Sequence, residues 1–286
     1  MNRSLVSLGD IAIEVVSQKP LGWSGPFSDF LNVDSKAKEI DLSVTLGPCR
    51  AFSSLKAIFD SGTTWSLSQE DSRFVMQVPS FSSPLSWEAR VFFDPRFQKG
   101  EMFLNPERYE RFLDCPLTYP FGEIWMMHLL PPRHGILIHS FGLLFGENAY
   151  LFVGSSGQGK TTSARLWQEA GYGQILSDDR VIVRKEKGGW FAYGTPWHGE
   201  AHLSSPLKAP LKKLFFLKHA QSNEIRPLSF MDALQRLMVR SFHPYWNSPL
   251  LGQSTDVAVQ LVREIPACEF GFLPDPGAVD FIQKHL

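Results

Sequence analysis

Residues Gly154 to Thr161 read GSSGQGKT, which is G-x-x-x-x-G-K-[ST] without deviation. Each residue type has a physical purpose. Gly154, Gly157 and Gly159 admit positive φ and bring backbone N–H groups close to phosphate oxygens. Lys160 supplies a point charge for the outer phosphates, and the Thr161 hydroxyl can ligate Mg²⁺. Ser155, Ser156, Gln158 and Thr162 complete the candidate binding loop. The expectation is a nucleotide or another phosphate ligand. The bland alternative is a glycine-rich turn with an incidental lysine.

Asp178 and Asp179 form a second constellation, inside QILSDDRVIV. Adjacent residues of a β stretch face opposite sides, so the two carboxylates are not expected to share one task. One can hold Mg²⁺, directly or through water, while the other accepts a proton from an attacking hydroxyl. The alternative is a solvated turn partnered by Arg180. Ile175 and Leu176 before the pair, with Val181, Ile182 and Val183 after it, argue for a buried strand. Such a strand does not carry unpaired carboxylates without a reason.

The elements that must position these groups can be read from the same stretch. AYLFV predicts a strand entering the loop. TTSARLWQEA predicts a helix leaving it, ended by Gly171, with its positive end aimed at the phosphates. GILIHS predicts a strand before AYLFV, with a turn at Gly146–Asn148 between them. KEKGGW predicts a hairpin turn between VIVR and WFAYG. Further on, Ser229 and Asp232 form a capping box for a helix through Leu237 and Met238. Asp275 followed by Pro276 predicts the N-cap of a last helix.

Upstream, the texture differs. Ile40, Leu42, Val44 and Leu46 alternate with polar residues. Ile11, Ile13 and Val15 do the same, as do Trp87, Ala89 and Val91. Turn-rich pieces such as SQKPLGWSGP and PSFSSP separate them, and an antiparallel meander is the simplest architecture. FGEIWMMHLL predicts a short helix stopped by Pro131 and Pro132. The expected division is a β-rich region over 1–117 and a phosphate-loop domain over 118–286.

A histidine before the loop, the loop itself, a short helix ending in glycine, and an apolar-x-Asp-Asp strand together resemble the HPr kinase/phosphorylase family. That family's nucleotide core is similar to ATP-dependent phosphoenolpyruvate carboxykinase. The resemblance covers about residues 134–184. It implies an α/β fold, with a mixed-sheet P-loop core beside the β-rich N-terminal half. It implies a kinase using ATP and Mg²⁺ to phosphorylate a serine-type hydroxyl of a peptide, protein or small metabolite. By carry-over Lys160 and Thr161 are the loop lysine and hydroxyl residue. Asp178 is the base that activates the acceptor, Asp179 is the Mg²⁺-side carboxylate, and His139 positions or charge-tunes Asp178. His134 is a rival in an HG context but at the wrong spacing. The family's hexamers imply a homo-oligomer. The glycine-rich signature that follows in bifunctional HPr kinases is absent. GTPWHGE (194–200) stands in its place, similar to an element of a divergent branch that includes kinase-like proteins of peptide-modification gene cassettes. It offers Glu200 as a second metal-side carboxylate, against the alternative of a loop with a packed tryptophan. A non-catalytic ATP-binding accessory or scaffold protein is the competing reading of the whole chain.

Other signals are weaker. Arg180 can pair with one aspartate or with a transferred phosphate. Arg240 reads as a solvated or helix-end arginine. Lys208, Lys212 and Lys213 form a small basic cluster that most simply makes a solvated face. His128 and His243 have no evident partner.

Composition narrows the rest. The chain has 286 residues, 43% hydrophobic, with 28 basic against 29 acidic residues and a net charge of −1. That balance argues against general electrostatic capture of nucleic acid or anionic membrane. No apolar run approaches the roughly 18–20 residues needed to span a bilayer. The opening MNRSLVSLGDIAIEVV lacks a signal-like apolar stretch. Cys49, Cys115 and Cys268 form no CxxC pair, so buried reduced thiols in a cytoplasmic protein are expected.

Overall fold

Period-two alternation of apolar residues builds most of this chain. In the computed structural model, residues 1–32, 37–49, 55–80, 83–106 and 110–286 are described. The fold is mixed α/β, rich in strands and built on two mixed sheets. It divides into two compact units, Met1–Leu129 and Leu130–Leu286.

The first unit carries β1 (Asn2–Leu8), β2 (Ile11–Ser17), β3 (Ile40–Leu46), β4 (Lys56–Asp60), β5 (Ser66–Glu70), β6 (Arg73–Ser80), β7 (Ser83–Phe93) and β8 (Lys99–Leu104). Two helices follow, α1 (Glu110–Asp114) and α2 (Phe121–Leu129). The strands form one eight-stranded sheet in the order β1-β2-β3-β8-β7-β6-β5-β4. Ile11, Ile13, Val15, Ile40, Leu42, Val44, Ala89 and Val91 are buried, as their alternation requires. The expected meander holds along β4–β8 and in the β1–β2 hairpin. It fails at β3, which runs parallel to both β2 and β8. Alternation reports which face is buried and is silent about the direction of a neighbour. The turn expected within PSFSSP falls on residues 81 and 82, outside the described residues.

The helix expected from FGEIWMMHLL forms as α2, and every residue of it is buried. Its contacts put it with the first unit. Trp125 Nε1 donates to the Phe97 carbonyl at 2.7 Å, and the His128 ring stacks on Phe97 with centroids 3.8 Å apart. Burial lowers the His128 pKa to about 4 and keeps its imidazole neutral. The division therefore falls after Leu129, not near residue 118. The three cysteines are free thiols, but only Cys115 is fully buried. Cys49 and Cys268 are partly exposed, and Cys49 Sγ accepts a hydrogen bond from Arg90 Nη1 at 3.1 Å.

The second unit runs β9 (Gly135–Phe145), β10 (Asn148–Val153), α3 (Lys160–Ala170), β11 (Gln174–Ser177), β12 (Arg180–Glu186) and β13 (Gly189–Tyr193). It continues through β14 (Lys208–His219), β15 (Glu224–Pro227), α4 (Phe230–Met238), β16 (Ser241–Phe242), α5 (Ser248–Glu264), β17 (Ala267–Phe272) and α6 (Gly277–Gln283). The long strand β9 pairs with β12 through Gly135–His139 and with β10 through Ser140–Phe145. β14 pairs antiparallel with β13 and parallel with β10 and β17. The pairings β9–β12–β13–β14–β10–β9 thus close a ring, with β17 and β15 continuing beyond β14.

Helices cover two faces of this sheet. Leu151 and Val153 of β10 join Leu237 of α4 and Val257 and Leu261 of α5 in one core. Tyr150 and Phe152, pointing the other way, join Trp167 of α3 and Val279 and Ile282 of α6 in a second. Opposite cores for alternate residues of one strand are what a strand between two helical layers needs. α3 ends at Gly171, left-handed at φ 71°, as expected. The Ser229 hydroxyl accepts the Asp232 N–H at 3.2 Å and caps α4. α5 was not anticipated, although Val257, Ala258, Leu261 and Val262 are buried at helical spacing. α6 starts one residue later than expected: Pro276 is its N-cap, with no side-chain capping bond. Among the described residues, no helix is long and apolar enough to cross a membrane.

Candidate functional site

Parallel pairing of β10 with β14 drives the chain straight from Val153 into the glycine-rich loop and then into α3. Two glycines make the turn possible. Gly157 has φ 77° and Gly159, the N-cap of α3, has φ 92°. A Cβ at Gly159 would also press into the Phe272 ring. The loop therefore sits against Phe272 with no room for a side chain.

Lys160 is buried, at 6% exposure, and its Nζ donates to the Ser155 carbonyl at 3.1 Å. Burial lowers its pKa to about 8, and the neighbouring guanidiniums of Arg180 and Arg240 push in the same direction. Three cations thus gather around one loop, opposed at Lys160 by the Asp178 carboxylate, which pushes the other way. Gln158 turns inward: its Oε1 accepts from the Ser155 N–H at 2.6 Å and from Arg240 Nη2 at 3.3 Å. One loop amide is thus already occupied by an internal oxygen.

The aspartates lie between β11 and β12, where the strand bends. The Ser177 hydroxyl accepts from the N–H groups of Asp179 and Arg180, at 3.3 and 3.2 Å. The two carboxylates part company, as expected for adjacent residues. Asp178 is 1% exposed. Its Oδ1 accepts the Gly199 N–H and its Oδ2 the Ala201 N–H, both at 2.8 Å. Asp179 turns into a cavity. Its Oδ1 lies 2.7 Å from His139 Nε2, and its Oδ2 pairs with Arg180 Nη1. The Arg180 guanidinium also lies over the Phe242 ring. His139 is therefore bonded to Asp179, not to Asp178 as the resemblance implied.

The GTPWHGE segment is tied to β11 by the Ser177 hydroxyl, which donates to the Trp197 carbonyl at 3.3 Å, and the chain just after it runs along the same strand. The Asp178 N–H donates to Leu203 O at 3.1 Å, and the Ser205 N–H to Leu176 O at 3.0 Å. Gly194 touches the carbonyls of Ser205 and Leu176 so closely that no Cβ fits. This clamp brings Gly199 and Glu200 to the rim, where Arg165 Nη2 donates to the Glu200 carbonyl at 3.2 Å. Trp197 is buried, so the segment is both a packed loop and a wall of the site.

The cavity so formed has a volume of about 590 Å³. His139, Ser156, Gly157, Gly159, Lys160, Thr161, Thr162, Asp179 and Glu200 line it, all named from the sequence. Gly154, Ser155, Gln158 and Asp178 do not line it; they hold its walls. Arg180, Gly199 and His219 line it as well. His219 went unnoticed in the sequence because nothing local to β14 marks it. It is brought to the loop by strand pairing, and its Nε2 meets the Gly157 carbonyl at 2.9 Å. Arg240 is a helix-end arginine, as expected, with Nη1 donating to the Arg236 carbonyl at 3.0 Å, but it is not simply solvated: Nη2 reaches Gln158 across the fold.

The donor set fits a polyphosphate with a hard cation. The loop residues Ser156, Gly157 and Gly159, Lys160 at the start of α3, and the oxygen-bearing Thr161, Asp179 and Glu200 all line the cavity. Among the described residues, no three His, Cys, Asp or Glu side chains cluster to hold a metal unaided. No family model and no curated protein matches this chain.

Proposed function

We propose that the chain is a phosphotransferase that moves the terminal phosphoryl group of ATP to a hydroxyl acceptor, with a P-loop core of the HPr kinase type. One observation carries this reading. A glycine-rich loop with a buried lysine and a carboxylate bonded to a histidine line a single cavity. The loop amides and Lys160 hold the phosphates. Thr161 and Glu200 would hold Mg²⁺ beside the phosphates, and the ion would supply charge neutralisation there. The acceptor oxygen bonds to the γ-phosphorus while the bond from that phosphorus to the β–γ bridging oxygen breaks. The acceptor proton passes to Asp179, and ADP leaves.

Asp179 takes the base role that the resemblance gave to Asp178. Both carboxylates are bonded, Asp178 to backbone N–H groups and Asp179 to His139 and Arg180, but Asp178 is buried behind the wall whereas Asp179 lines the cavity, where an acceptor can reach it. Most of the rate then comes from positioning and fixed charge. A peptide, a protein or a small metabolite bearing a serine-type hydroxyl is the acceptor class. The test uses labelled ATP with Mg²⁺ and calorimetry on wild type, Lys160→Ala and Asp179→Asn. Wild type is expected to bind, Lys160→Ala to lose binding, and Asp179→Asn to bind but transfer nothing to a hydroxyl acceptor. Undiminished transfer by Asp179→Asn removes it from the chemistry. Binding with no acceptor found in any hydroxyl class favours an ATP-binding accessory protein.

A further inference from the structure

The cavity has two flanks, and strand order assigns them different work. β10, which leads into the loop, lies between β9 and β14. On the β9 side stand His139 and Asp179. On the β14 side stands His219, the last residue of that strand. Among the described residues, the imidazoles of His139 and His219 are the aromatic rings that line the cavity. His139 is committed to Asp179. His219 is built differently. Its partner across the β14–β17 ladder is Phe272, the last residue of β17. The two rings stack at 5.8 Å between centroids and 25° between planes. Phe272 is buried and also supports Gly159. The His219 Nε2 lies 2.9 Å from the Gly157 carbonyl. A carbonyl only accepts, so Nε2 carries the proton, and this bond fixes the ring beside the loop. His219 is itself exposed.

We propose that His219 is the stacking surface for the base of the nucleotide whose phosphates the loop holds. The proposal rests on the nucleotide reading above. A triphosphate spanning the loop, with its reacting end at Asp179 and His139, places its nucleoside on the opposite flank. There an exposed ring, backed by Phe272 and tied to the loop, offers a flat apolar face. A cavity of about 590 Å³ lies within the range of sites for small ligands and cofactors. Stacking is tolerant of base identity because every base has a π-face. The site therefore favours nucleotides over bare polyphosphate and separates ATP from GTP only weakly.

Calorimetry with Mg²⁺ and two probes, ATP and inorganic tripolyphosphate, tests this on the full chain. Wild type is expected to bind ATP about tenfold more tightly than tripolyphosphate, the scale of one base–aromatic stack. His219→Phe keeps the stacking face and loses the bond to Gly157; it is expected to retain the preference for ATP. His219→Gln keeps a hydrogen-bonding side chain and loses the face; it is expected to bind both probes equally. If His219→Gln keeps the preference, or wild type shows none while binding both, the stacking role is overturned and the loop reading stands. If both His219 variants lose the two probes equally, His219 is a loop tether, which also overturns it. If wild type binds neither probe, the loop reading fails and this proposal falls with it.

Discussion

At the scale of single residues, adjacent carboxylates do opposite things because one is buried against backbone N–H groups and the other lines the cavity, bonded to His139 and Arg180. Asp178 accepts two backbone N–H groups, from Gly199 and Ala201. Asparagine there offers one acceptor oxygen and turns an NH₂ toward a donor. Asp178→Asn is expected to destabilise the fold by about 2 kcal/mol, seen as a lower Tm. Asp179→Asn is expected to leave the Tm within a degree or two; an equal loss in both variants refutes the division of labour. Lys160 makes a second case. Its ammonium titrates at about 8 in the folded chain, against an ordinary 10.5. Between those values the unfolded chain binds more protons, so this group's contribution to stability rises with pH across that window. A bound polyphosphate favours the charged form. Binding at pH 8.5–9.5 is therefore expected to take up protons, and affinity to fall as pH climbs above 8. Calorimetry in buffers of different ionisation heat measures the uptake; none, or release, contradicts it.

At the scale of elements, the site depends on how α3 starts and how one loop is clamped. Gly159→Ala places a side chain at φ 92° and against Phe272. It is expected to abolish polyphosphate binding, with a loss of stability of about 1–3 kcal/mol. Ser229→Ala removes the cap of α4 and is expected to cost about 1 kcal/mol while leaving binding intact. Paired denaturant titrations and calorimetry separate the two. If Gly159→Ala binds normally, the positive-φ entry to α3 does not set the site. Helix ends such as Gly171 and Ser229 were legible because capping is local chemistry. The parallel course of β3 was not, since a pairing direction is decided by a neighbour far away in sequence.

At the scale of the whole molecule, every residue lining the cavity lies in Leu130–Leu286. The segment 130–286, expressed by itself, is expected to bind Mg²⁺–ATP as tightly as the full chain. A folded segment that does not bind places part of the site in the first unit. The motif residues and their order along the chain were set by the sequence alone. So were the strand and helix flanking the loop, because period and capping act within a few residues. Three things waited for the tertiary structure: which aspartate meets His139, what Gln158 and Arg240 do, and that His219 faces the loop. Each depends on strands meeting across long separations. Gly157 and His219, or Gln158 and Arg240, become neighbours only when β10 settles beside β14 and β9 beside β16. No local period encodes such a meeting; only the packing of the sheet decides it.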